Sequence, residues 1–161
     1  MEKPLVEEPV LEEIVIPAEN AVFWLDKNGI WQNESGRFRK KRIIDLFNAS
    51  LRKDEQGYYV TQINGNRREK VYFRYEDTAL FAVDFELADG LIATLNNGEK
   101  KELYPKNLFI QNDCLYSEDG LERIKFSERC LIKAFKVIES EDDRDFLRIN
   151  GTRHPIRNLD S

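Results

Sequence analysis

Ile63-Asn64-Gly65-Asn66-Arg67 returns, nearly unchanged, as Ile149-Asn150-Gly151-Thr152-Arg153. A single turn of this kind says little about a fold. Two of them with matching surroundings indicate a duplicated unit. Ahead of each lies an aromatic-rich strand, ahead of that an amphipathic helix, and ahead of that a short hairpin ending in Ile30-Trp31 or Leu115-Tyr116. The sequence therefore predicts an α+β protein, mostly antiparallel β, with a hairpin-helix-hairpin motif used twice.

The first hairpin is read from Val22-Phe23-Trp24-Leu25, a turn at Asp26-Lys27-Asn28-Gly29, and Ile30-Trp31. Ile43, Leu46, Phe47 and Leu51 then recur at helical spacing and predict a helix that buries this face. In the hairpin from Tyr58 to Tyr75, a two-residue turn at Asn64-Gly65 would set Val60 against Glu69. A four-residue loop from Asn64 to Arg67 pairs Val60 with Val71 and Tyr58 with Phe73, and is preferred. Phe81 to Tyr104 reads as a three-strand meander with turns at Asp89-Gly90 and Asn97-Gly98. The motif restarts at Leu108, with Ser127 as N-cap of a second helix whose apolar face is Leu131, Ala134, Phe135 and Ile138. Pro155 in the last hairpin predicts an edge strand, because it cannot donate a ladder bond.

These boundaries divide the chain into an acidic leader (1–19), a first repeat (20–77), and a meander plus second repeat (78–161). The leader carries six glutamates against one lysine and is expected to be mobile. A net charge of -5 argues against general nucleic-acid binding. No apolar run approaches the roughly 20 residues of a membrane span, and the N-terminus lacks a signal-peptide layout, so a cytoplasmic location is expected.

Chemistry-bearing residues are few. Arg37, Arg39, Lys40, Lys41 and Arg42 crowd the start of the first helix, where the dipole disfavours cations. A phosphate-bearing ligand would favour them; so would solvation or the acidic leader. Arg67 and Arg68 adjoin the first repeated turn and Arg153 the second. Trp31 offers a stacking surface if exposed, although aromatic residues on alternating strands are usually core. His154, the single histidine, has no nameable partner, and Cys114 and Cys130 lack the neighbours of a zinc site. No cofactor or metal is expected, and an enzyme ranks last.

The order of features resembles the bacterial domain of unknown function 1285 family. The resemblance rests on Asp26-Lys27-Asn28-Gly29-Ile30-Trp31, on Gly36-Arg37 leading into a helix, and on Glu76-Asp77-Thr78-Ala79-Leu80-Phe81. Asn97-Gly98, Asp119-Gly120-Leu121-Glu122-Arg123-Ile124 and the terminal Gly151, Pro155 and Ile156 continue it. It implies a duplicated motif, a C-terminal half superficially like pleckstrin-homology folds, and an inter-domain cleft suited to a nucleotide-like ligand in signalling.

Two expectations follow. One is a signalling-type module that holds a nucleotide-like or other phosphorylated small molecule between the domains through Arg39, Lys41, Arg67, Arg153 and Trp31. The other is a protein-interaction module that takes an acidic partner at the basic helix start or at strand edges.

Overall fold

The computed structural model describes residues 12–120 and 122–160. Leu121 and the expectation for residues 1–11 lie outside the described residues. In chain order, β1 (Glu12–Ile16) and a 3-10 turn lead into β2 (Phe23–Leu25), β3 (Trp31–Asn33) and β4 (Gly36–Arg37). Helix α1 (Lys41–Ser50) follows, then β5 (Arg52–Asp54), β6 (Gly57–Asn64), β7 (Arg67–Tyr72) and the short β8 (Arg74–Tyr75). The meander is β9 (Leu80–Leu87), β10 (Leu91–Leu95) and β11 (Lys100–Leu103). The second copy comprises β12 (Leu108–Gln111), β13 (Cys114–Asp119), β14 (Glu122–Phe126), α2 (Glu128–Phe135), β15 (Ile138–Glu141), β16 (Arg144–Ile149) and β17 (Thr152–Asn158).

The fold is α+β with the motif duplicated. Each copy is a three-strand meander, a helix and a second three-strand meander, and in each the last segment returns to pair in parallel with the first strand. Trp24 lies opposite Arg74 in one copy and Phe109 opposite Arg157 in the other. The copies differ in continuity. Phe73 interrupts the first copy between β7 and β8, so two four-stranded sheets form, ordered β1-β7-β6-β5 and β4-β3-β2-β8. Unbroken β17 instead joins everything after Asp77 into one nine-stranded sheet, ordered β11-β10-β9-β14-β13-β12-β17-β16-β15.

The leader expectation needs correction from Glu12 onward. Glu12–Ile16 is a strand paired in parallel with β7, Glu12 opposite Arg67 and Glu13 opposite Arg68. Pro155 also departs from expectation: β17 is internal in the sheet order, but β12 reaches only Arg157 and Asn158. At Pro155 itself the strand has a partner on one side alone, opposite Phe146, so the ladder bond it cannot donate is not required.

The hairpin register runs as expected, with Val60 opposite Val71, but the loop is shorter. Asn64 pairs with Arg67, and the loop is Gly65-Asn66 with Gly65 at φ +64°. Glu69 thereby falls opposite Gln62, whose Nε2 donates to it at 2.7 Å, so the buried carboxylate is satisfied.

One core runs through both halves. Trp31 meets Phe47 and Phe73 with ring centroids 5.4 and 4.9 Å apart, in the edge-to-face arrangement that aromatic quadrupoles favour. Gly29 turns the first hairpin at φ +78°, and a Cβ there would lie 3.2 Å from the Phe81 ring of the following meander. Asp77 ties the halves further: Tyr116 Oη donates to it at 2.6 Å, and Arg123 and Lys125 approach at 3.2 and 3.1 Å. Burial works against its charge, yet those donors outweigh burial and hold the carboxyl below the ordinary range. Lys125 also donates to the Lys27 carbonyl at 2.7 Å, which locks the first hairpin to β14.

Candidate functional site

The five residues named from sequence do not converge. Trp31 is 1% exposed, and its Nε1 donates to Asn48 Oδ1 at 2.8 Å. Strand alternation turns it inward with Phe23 and Leu25, which leaves no ring face for a ligand; its assignment as a stacking surface is corrected on that ground. Arg153 donates to Glu141 at 2.7 Å and lies 4.0 Å over the Phe146 ring, so its charge is already engaged. Arg67 is exposed on the first copy's sheet, opposite Glu12, whereas Arg153 belongs to the nine-stranded sheet. Lys41 is solvent-facing and paired with Asp45 at 2.6 Å, one helical turn on.

Arg39 stands exposed ahead of α1. The helix begins without a side-chain cap and without an acid in its first turn. Helix α2 is built the other way: Ser127 Oγ accepts from the Cys130 amide and Glu128 occupies the first turn. His154 sits opposite Leu147 in mid-strand, half-buried. Burial pushes the Cys130 thiol up to about 11, which makes it an inert core group. Among the described residues no group of three or more His, Cys, Asp or Glu is gathered to hold a metal, and no helix is long and apolar enough to cross a membrane.

A different place has the shape of a site. Helix α1 runs beside the edge of β6 that β7 does not cover. At the helix C-terminus the two are joined, since Ser50 Oγ accepts from the Thr61 amide at 3.1 Å. Toward the helix N-terminus a groove of about 730 Å³ lies between them, walled by Ile43, Leu46 and Phe47 on one side and by Thr61, Ile63 and Arg68 on the other. Its volume lies within the range of small-molecule and peptide clefts. Ile43, Leu46 and Ile63 remain 38%, 59% and 67% exposed, an apolar surface that the fold leaves uncovered. Arg68, Arg39, Lys40 and Arg42 have no ion pair among the described residues and supply positive charge close by in sequence.

Helical spacing places Ile43 and Leu46 on the buried face with Phe47 and Leu51. Only Phe47 and the C-cap Leu51 of that face are buried. The missed signal is the placement of Ile63, an odd number of residues from buried Val60 and hence on the opposite face of β6.

No family model matches the chain, and no curated protein matches it. Among solved structures it is similar to a DUF1285 family protein from Silicibacter pomeroyi DSS-3, with 18% identity and a TM-score of 0.58, over 98% of this chain and 91% of that one. The chain shares the DUF1285 fold. It is also similar to a DUF1285 family protein from Shewanella baltica OS155, with 20% identity and a TM-score of 0.49, over 74% of this chain and 94% of that one. The likeness extends to the fold and to no activity, so the site has to be argued from its own residues.

Proposed function

We propose that the protein is an interaction module that holds an acidic, apolar-bearing segment of a partner protein in the groove between α1 and β6. The observation that carries this reading is the uncovered apolar wall of Ile43, Leu46 and Ile63 beside Arg68, which lines the same groove and forms no ion pair among the described residues although Glu13 stands across from it. Apolar contact supplies affinity there, and the cation selects an acidic partner and speeds its encounter. The test is a photo-crosslinking residue placed at Leu46 and, as a control, at Leu159, which is similarly exposed elsewhere. The expected result is capture at position 46 of one stoichiometric partner through an acidic segment, lost in Arg68→Glu. Equal capture at both positions would overturn the reading.

A second reading, a phosphate-bearing small molecule at the start of α1, is supported by the uncapped helix amides beside Arg39 and Lys41. It no longer uses Trp31 or Arg153. A thermal-shift screen against phosphorylated metabolites tests it, since a ligand at ~100 times its Kd adds about 2.7 kcal/mol. A shift abolished by Arg39→Ala is expected; no shift with any compound removes this reading.

A further inference from the structure

We infer that the groove takes the partner segment as an extended strand added to β6, with apolar residues alternating with Asp or Glu. The inference rests on the interaction reading and concerns the form of the bound segment. It begins with coverage of β6. Strand β7 pairs along one edge from Tyr59 to Asn64, whereas β5 covers the other edge only from Gly57 to Tyr59. Beyond that point the second edge meets α1, through the single bond from the Thr61 amide to Ser50.

That bond fixes which backbone groups face the groove. In an antiparallel pair, alternate residues direct both N–H and C=O at the partner and the residues between direct them away. Because the Thr61 amide goes to Ser50, Thr61 belongs to the set facing away from β7. Ile63, two residues on, belongs to it as well. Its N–H and C=O, together with the Thr61 C=O, point along the open edge, and none has a partner among the described residues. Gln62 is in the other set and is bonded to β7 opposite Glu69.

An added strand would satisfy those three backbone groups at once, and its side chains would alternate between two environments. One set meets the α1 wall of Ile43, Leu46 and Phe47. The other, displaced by one residue, meets the row in which Ile63 stands directly opposite Arg68 on the same face, where a carboxylate fits. A docked helix, 10–12 Å across, would cover the apolar wall but leave the edge groups unbonded.

The experiment selects displayed 12-residue peptides on the full chain. It then follows amide exchange of the parent by NMR as a selected peptide is added, alongside the Leu46→Asp variant and a backbone N-methyl scan of the peptide. The expected result is an alternating apolar–acidic consensus, at least tenfold weaker binding to Leu46→Asp, and at least tenfold slower exchange at Ile63 with little change at Gln62. N-methylation should cost at least tenfold at two positions two residues apart, the amides that donate to the Thr61 and Ile63 carbonyls, and little elsewhere. Peptides that depend on Leu46 but leave Ile63 exchange unchanged and show no two-residue period would overturn strand addition while keeping the groove. Undiminished binding to Leu46→Asp, or no selected peptide, would overturn the groove reading itself. An Ile63 amide already protected in the free chain would identify a different occupant, a second copy if the chain sediments as a dimer or its own residues if it sediments as a monomer. Either overturns the partner segment.

Discussion

Ile63 and Ile149 hold the same place in the same five-residue motif, yet one is 67% exposed and the other 9%. The difference lies in register. In the second copy Asn150 and Gly151 form the loop, with φ +50° and +78°, so both central residues are left-handed and Ile149 pairs with Thr152. In the first copy the loop slides one residue to Gly65-Asn66, where only Gly65 has positive φ, and Asn64 is drawn into the ladder. Counted from the buried residue of each strand, Ile149 stands two after Leu147 and points inward, whereas Ile63 stands three after Val60 and points out. A duplicated motif thus preserves chemistry along the chain while register decides which side receives it. The second copy uses its isoleucine for the core, and the first turns it toward a groove.

The most direct way to break that contrast is to truncate both side chains. Ile149→Ala should cost about 3 kcal/mol of stability, as buried isoleucine deletions do, whereas Ile63→Ala should stay within about 0.5 kcal/mol of the parent. Equal losses in urea unfolding would show that the two turns are packed alike. A smaller effect is expected at the junction: Asp77→Ala removes the carboxylate shared by Tyr116, Arg123 and Lys125, at about 2 kcal/mol, below the full cost for a deeply buried pair because Asp77 keeps 22% of its side-chain exposure. Its unfolding should remain a single transition with a lower midpoint; an unchanged midpoint would mean that the two halves do not depend on this cluster.

The helices sharpen the contrast with opposite signs. Ser127→Ala should lose about 1 kcal/mol by removing the α2 cap, while Lys40→Ser should gain up to about 1 kcal/mol by supplying one that α1 lacks. Thermal denaturation of the pair decides this, and a loss in both variants would contradict it.

On their outer faces the copies agree. A carboxylate from the first strand of the second meander meets a cation from its third strand over an aromatic ring of the middle one: Asp54, Lys70 and Tyr59 in one copy, Glu141, Arg153 and Phe146 in the other. Hydrogen bonds from Lys70 and then Tyr72 hold Asp54 down to about 2. Because the folded value is depressed, the ionised carboxylate stabilises this contact above the ordinary value of roughly 3.9 and loses it as pH falls toward 2. An NMR titration should place the Asp54 midpoint near 2 and move it upward in Lys70→Met; a parent midpoint near the ordinary value would remove the contact.

Local signals carried much of the fold. The duplication, both helices, the central meander and the pairing of Val60 with Val71 were legible because each depends on periodicity or turn chemistry within a few residues. Strand β1 was not, since its partner Arg67–Val71 lies far along the chain and Glu12-Glu13 reads as a solvated run until Arg67 and Arg68 are placed opposite. Trp31 was misjudged because alternation gives the period of a strand and not which side the core occupies. The groove was hidden for a related reason: helical spacing groups Ile43, Leu46 and Phe47, but only the last is packed, against Phe23, Trp31 and Phe38, and the other two stay exposed beside β6.

The open edge of β6 has a consequence for solubility. An uncovered strand is where chains add to one another without limit, and an apolar rim such as Ile63 and Leu46 makes that easier. Here the opening is very short, closed at one end by Ser50 and at the other by the Gly65-Asn66 turn, with Arg68 beside it. Three backbone groups suit one visiting segment, but they are too few to template a growing stack. Lengthening that opening, by replacing Ser50 with alanine and freeing the Thr61 amide, should turn a docking edge into an aggregation edge.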